Sequence, residues 1–182
     1  MPSVLTRDNI DSKLRNYAAL VRVVRPPRRS LRGIELLRVL KREKLGAGPY
    51  PDVSMFEAAN RIMSDLVMLH GVRWLLRERP FPFHSYEVEF GHGNTAEHDI
   101  VARSGGRVLI GEVFNVAPSY FNTKKGSALK KLRTSTLGAD FRLLMCNHDA
   151  VTKGYEPQPR PGEHFLFVDI DSGDIEMLSS QK

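Results

Sequence analysis

Ala96-Glu97-His98-Asp99-Ile100-Val101-Ala102-Arg103, then Ser104-Gly105-Gly106, then Arg107-Val108-Leu109-Ile110-Gly111-Glu112-Val113-Phe114 is the stretch that decides the fold. Two runs rich in β-branched residues flank a Ser-Gly-Gly segment. Its glycines accept the positive φ angles of a tight hairpin, so the spacing predicts antiparallel strands over about 96–103 and 107–116. Asp99 falls inside the first strand and Glu112 closes the apolar run of the second. Two like charges on neighbouring strands need a cation or a proton between them, which makes the pair a candidate site for a divalent metal; polar strand-edge residues are the alternative. Side chains alternate along a strand, so Glu97 and Asp99 are expected on one face, His98 on the other, and Phe114 on the face of Glu112.

Outward from this hairpin, the pattern alternates helices and strands. Two amphipathic stretches, 8–23 and 30–44, are separated by Arg25-Pro26-Pro27-Arg28-Arg29, where the prolines break the helix. Leu14, Ala18, Leu20 and Val21 give the first an apolar side, and Ile34, Leu36, Leu37, Val39 and Leu40 the second, so both are expected to dock rather than float. Gly46-Ala47-Gly48-Pro49-Tyr50-Pro51 reads as a loop and a boundary, dividing a basic helical extension (1–50) from an α/β domain (51–182). A third helix is predicted over 55–69, capped by Ser54, with Phe56, Ala59, Met63 and Leu66 on its apolar face and Gly71 at its end. A strand at 84–90 precedes the hairpin. A basic helix at 123–134, a strand at 141–146, a Gly/Pro-rich loop at 154–162 and a terminal hairpin (164–170 with 174–178) follow it. This order makes the chain α+β, a central mixed sheet covered by helices.

The chain has 182 residues, 41% of them hydrophobic, enough to bury a core without covalent staples. No apolar run approaches a membrane span and the N-terminal residues lack the apolar core of a secretion signal, so a cytoplasmic protein is the expectation. Cys146 is the single cysteine and lies in the apolar run Phe141–Cys146, where it reads as a small core residue. The net charge of +6 is uneven: residues 1–50 hold 12 Lys/Arg against 4 Asp/Glu, and the rest 15 against 17. The positive charge peaks at Arg22, Arg25, Arg28, Arg29 and Arg32 and again at Arg38, Lys41, Arg42 and Lys44. That arrangement suits phosphate contacts or an acidic protein partner, with a solvated helical face as the alternative.

In order and spacing, the stretch T-A-E-H-D-I-V-A-R-S-G-G-R-V-L-I-G-E-V-F resembles the PD-(D/E)XK nuclease superfamily, the restriction-endonuclease-like fold, in its RecB-like and small predicted-nuclease branches. The resemblance covers about residues 55–146. It implies a metal-dependent hydrolase cutting phosphodiesters, with nucleic acid, expected to be DNA, as partner and Mg²⁺ or Mn²⁺ as cofactor. Asp99 would be the metal-binding aspartate, Glu112 the second carboxylate, the Val113 carbonyl a further oxygen ligand, Glu57 the helix glutamate, and Glu97 an outer partner. Such a set suits Mg²⁺, which takes one or two carboxylates, keeps waters and orients one for attack. Glu57 alternatively completes a capping box with Ser54.

Phe114 stands where the family carries a lysine that activates water and steadies phosphate charge, and a phenyl ring does neither. Its work would pass to Lys124, Lys125, Lys130 or Lys131 on the following helix, with Lys130 the catalytic candidate, or to Asn115 or Glu97. Otherwise the fold serves for DNA binding or as a protein-interaction subunit, alone or as a homodimer. Arg25, Arg28, Arg29, Lys124, Lys125 and Lys131 are the expected phosphate contacts. His84, His92 and His98 lack the spacing of a histidine metal cluster. Asp169-Ile170-Asp171-Ser172-Gly173-Asp174 resembles a calcium loop, but Ser180 occupies the position of its essential glutamate, so a hairpin turn is expected. Trp74, Phe81 and Phe83 read as core.

Overall fold

A computed structural model describes residues 2–25, 31–91, 96–152 and 154–179. The α+β expectation is met: seven strands form one mixed sheet with helices on both faces. In chain order the elements are β1 (Ser3–Thr6), α1 (Ile10–Val21), α2 (Gly33–Arg42), α3 (Met55–Glu78), β2 (Ser85–Val88), β3 (Ile100–Ser104), β4 (Arg107–Phe114), α4 (Pro118–Thr134), β5 (Phe141–Asn147), β6 (Glu163–Val168) and β7 (Ile175–Ser179). The strands lie side by side in the same order. β1 to β4 run antiparallel, β4–β5 and β5–β6 pair in parallel, and β7 returns antiparallel on β6. Among the described residues no helix is long and apolar enough to cross a membrane.

The β3–β4 hairpin forms as its sequence dictates. Ser104 pairs with Arg107, and Gly105 and Gly106 take φ of 55° and 78°, the two positive angles of a type I′ turn. Alternation along β4 then divides two cores. Leu109 and Val113 face α3, with Leu5, Val67, Leu75 and Tyr86. Ile110 and Phe114 face α4, with Phe121, Leu132 and Leu144.

α3 departs most from expectation. It runs on through Gly71 to Glu78, because that glycine serves packing rather than termination: a Cβ there would come within 2.2 Å of Met145 Sδ. The face named from sequence is also the wrong one. Phe56 is 61% exposed and Met63 37%, whereas Ala58, Ile62, Val67, Leu69 and Val72 are buried. The helix packs between the sheet on one side and α1 and α2 on the other, so apolar residues occupy more than one row and periodicity alone does not mark the inward one.

The first 50 residues add an edge strand that periodicity did not reveal. β1 has one buried side chain, Leu5, and its hydrogen-bonding partner β2 lies some eighty residues away in sequence. Asp11 on α1 pairs with Arg73 and Arg77 of α3, which hold its carboxyl below the ordinary range against the opposing effect of burial. Val39 is buried beneath α2, while Ile34 and Leu37 remain exposed. α4 begins earlier than predicted, at Pro118, whose fixed φ suits the first helical turn.

Cys146 is fully buried in β5, and burial pushes its thiol up to about 12, consistent with a core role. The turn at 169–174 is a hairpin connection, in which Asp169 Oδ1 accepts the N–H groups of Asp171 and Ser172. Trp74, Phe81 and Phe83 pack in or against the core.

His164 on β6 packs edge-on against Phe81 at 4.8 Å, and burial lowers its pKa, as it does that of His70 on α3. The unfolded chain therefore binds more protons than the folded one once the pH falls below the free-histidine value, and stability is lost as pH falls through that window. Midpoints of urea unfolding are expected to drop between pH 7.5 and 5.5, and His164→Phe, which removes one titrating ring, to flatten the drop. An equally steep profile in the variant would contradict this assignment.

Candidate functional site

The carboxylates predicted to share a site are held by different neighbours. Residues 96–99 form a bend, and β3 begins only at Ile100. There the Asp99 carbonyl accepts the Glu89 N–H at 3.0 Å, and Asp99 Oδ2 accepts the Val113 N–H at 2.8 Å. Its side chain lines a recess on the α3 side with Ser64, Asp65, Met68, Glu89, Gly91 and Val113. Glu112 is 8% exposed and turns towards α4. Its Oε1 lies 2.7 Å from His98 Nδ1 and 2.8 Å from Lys131 Nζ, and its Oε2 accepts from the same ammonium at 2.9 Å.

The bend also redirects the residues before it. Alternation separates His98 from Asp99 as expected, but Glu97 goes with His98 rather than with Asp99. Ser135 Oγ, just past α4, is 2.8 Å from both His98 Nε2 and Glu97 Oε1. His98 thus ties the bend to β4 and to the end of α4, a role that a lone histidine in a polar run does not signal.

The other candidates disperse. Glu57 donates its backbone N–H to Ser54 Oγ at 3.2 Å, while its carboxylate pairs with Arg61, so the helix glutamate serves a cap and a surface pair. Of the lysines, Lys131 rather than Lys130 reaches a carboxylate, and Lys130 is exposed. Lys125 donates to Tyr155 Oη at 2.9 Å and lies over the Phe121 and Tyr155 rings, which makes it part of the packing. Arg25 is exposed; Arg28, Arg29 and His92 fall outside the described residues.

Asp65, which sequence reasoning did not single out, is a heavily engaged buried acid. It is 2% exposed. Its Oδ2 accepts the hydroxyls of Tyr17 at 2.5 Å and of Tyr50, and its Oδ1 accepts the Gly91 N–H at 3.1 Å. Burial, reinforced by the Asp65 charge, pushes both phenols well above their ordinary value, so they remain donors. One carboxylate thereby joins α1, the loop before α3, α3 itself and the turn after β2.

Asp99 and Glu112 do not converge on one metal position in this arrangement. A metal needs several oxygens converging on one point. Here Glu112 is matched by Lys131 and His98 on the α4 side, whereas Asp99 lies on the α3 side, in a recess it shares with Asp65 and Glu89. Among the described residues no group of three His, Cys, Asp or Glu side chains is placed to hold a metal.

A larger opening lies beside this region, at the carboxyl end of β4, where ligands bind in sheets with parallel strands. The cleft has a volume of about 510 Å³ and is lined by Phe56 and Asn60 of α3, Phe114 and Asn115 of β4 and its exit, and Tyr120 and Lys124 of α4. Its walls are positioned from several directions. Asn115 N–H donates to Ser64 Oγ at 3.2 Å, and the Asn147 amide brackets Val116, accepting its N–H at 2.9 Å and donating to its carbonyl at 3.0 Å. Ala117, at the N-cap of α4, also lines the cleft and makes no side-chain cap. Phe114, 2% exposed, is a wall residue packed against Phe121. Two aromatic rings stand free above it: Phe56 at 61% and Tyr120 at 68% exposure.

No protein-family model, curated protein or solved structure matches this chain.

The basic end of α2 is tied to the start of α3. Lys44 forms an isolated bridge with Ser54, the residue that caps α3, and Leu45 N–H donates to the Val53 carbonyl at 2.8 Å. Lys41, Arg42 and Lys44 are all exposed.

Proposed function

We propose that this chain is a nucleic-acid-binding domain of nuclease-like architecture that holds a single strand, expected to be DNA, in the cleft at the end of β4 without hydrolysing it. The supporting observation is the exposure of Phe56 and Tyr120 on either side of a cleft that also presents Lys124. Large exposed rings cost free energy in water, and paired across a cleft beside a cation they suit unstacked bases and the phosphates joining them. Asn60 and Asn115 add donors and acceptors for base edges.

The test is fluorescence anisotropy with a labelled oligothymidine. Tyr120→Ala and Phe56→Ala are each expected to weaken binding by about 1–3 kcal/mol, the worth of one stacked base. Lys124→Ala is expected to reduce the salt dependence by about one released counterion. Affinity that is equal at low and high salt and indifferent to both aromatic substitutions would reject the proposal.

One observation favours a second reading, metal-dependent phosphodiester hydrolysis. Lys131 Nζ lies 2.8 Å from Glu112, as a relocated motif lysine would. That reading requires Asp99 to join the pair. Cleavage of a strand with Mg²⁺ or Mn²⁺, lost in Asp99→Ala, would establish it in place of simple binding.

A further inference from the structure

The far end of α3 carries a second feature, independent of the cleft. α3 ends at Arg79, whose φ of 53° and ψ of 48° place it in the left-handed region. Among the described residues it is the one non-glycine with positive φ. Helices commonly stop on such a residue, but the position favours glycine because a Cβ is strained there. A side chain kept where it costs stability points to a use for that side chain.

Arg79 lines a crevice of about 400 Å³ between the end of β1 and the start of β2. The polar lining is Thr6, Arg7, Asp8, Arg79, His84 and Ser85, over an apolar floor of Leu76 and Phe83. Asp8 is the one carboxylate among them. Neither guanidinium takes part in a hydrogen bond or ion pair with another described residue, whereas Arg73 and Arg77, earlier on α3, are both paired with Asp11. The attraction of a helix C-terminus for cations accounts for one positive group at this end. It does not account for two unpaired guanidiniums, an imidazole and two hydroxyl side chains around one crevice.

We infer that the Arg7–Arg79–His84 crevice binds a phosphate or diphosphate group. Guanidinium forks match phosphate oxygens with paired, charge-assisted hydrogen bonds, and the Thr6 and Ser85 hydroxyls donate to the oxygens that remain. Leu76 and Phe83 offer an apolar surface to whatever carries the phosphate. The crevice lies about 35 Å from Phe56, given the rise of the 24-residue helix between them, so a ligand here does not occupy the cleft.

Titration calorimetry of the full chain with inorganic pyrophosphate tests the assignment, read beside thermal unfolding. Wild type is expected to bind saturably. Arg79→Gly is expected to weaken that binding about tenfold or more through loss of one bidentate contact, while keeping or raising the unliganded unfolding temperature because glycine relieves the left-handed backbone. Arg7→Ala is expected to weaken binding similarly, and Tyr120→Ala to leave it unchanged. Competition by a 5′-phosphorylated oligonucleotide, but not by its 5′-hydroxyl counterpart, would identify the carrier as a strand end; competition by neither would identify a small phosphorylated compound. Failure of wild type to bind pyrophosphate, or unaltered binding by Arg79→Gly, would overturn the inference.

Discussion

Phe114→Lys, which restores the lysine of the resembled nuclease motif, is expected to destabilise the protein by about 3 kcal/mol without creating metal-dependent cleavage. Phe114 is 2% exposed and sits in the α4-side core with Phe121, Leu144 and Cys146. Truncating a buried phenylalanine typically costs about 3–5 kcal/mol, and a lysine stem recovers part of that while its ammonium adds a desolvation cost. For a chain of this size the loss corresponds to a fall of roughly 6–12 °C in unfolding temperature. Activity is not expected because the obstacle lies elsewhere: Asp99 is engaged on the α3 side of the sheet and Glu112 on the α4 side. A Phe114→Lys protein that cuts DNA with Mg²⁺ would show that the two acids reach one another and would favour the hydrolytic reading.

Asp65→Ala is expected to have the larger effect, a loss of about 3–5 kcal/mol, because hydrogen bonds to a charged group contribute about 1.5–3 kcal/mol each and the substitution leaves several partners unmatched. The carboxylate accepts from Tyr17, Tyr50 and the Gly91 amide. Without it two phenol hydroxyls and a backbone N–H remain in a part-buried space. The expected unfolding temperature falls by roughly 6–20 °C. Asp65→Asn is expected to fall between this variant and wild type: an amide keeps one accepting oxygen, but its NH₂ cannot accept from its former partner. Because Tyr17 belongs to α1 and Tyr50 to the loop before α3, limited proteolysis of Asp65→Ala should first cut within residues 1–54. Unchanged protection there would mean that β1 pairing, the Asp11 ion pairs and the packing of Leu5, Ile10 and Val39 hold this region without Asp65.

Much of the architecture was written locally. The β3–β4 hairpin follows from two adjacent glycines between β-branched runs, and the start of α3 from Ser54. The terminal hairpin follows from the Asp169–Asp174 turn. Each signal lies within a few residues of the structure it specifies. β1 was not legible, since four residues with one buried side chain become a strand only when β2 supplies the partner. Nor was the outward turn of Phe56 and Met63, because a helix packed on two sides carries apolar residues in more than one row.

The candidate site divides along the same line. Sequence by itself determined that Asp99, Glu112 and Phe114 stand at one end of adjacent strands, because alternation and the two-residue turn set the register of β3 against β4. Only the tertiary structure decided what those residues face. The bend at 96–99 breaks the alternation, Lys131 and His98 claim Glu112, and the Val113 amide claims one oxygen of Asp99. The cleft with its two free rings and the crevice around Arg79 likewise join residues from separate elements. The physical reason is that backbone pairing is dictated by nearest neighbours along and across a strand, whereas the partner of a charge is chosen by whichever counter-charge packing brings within reach.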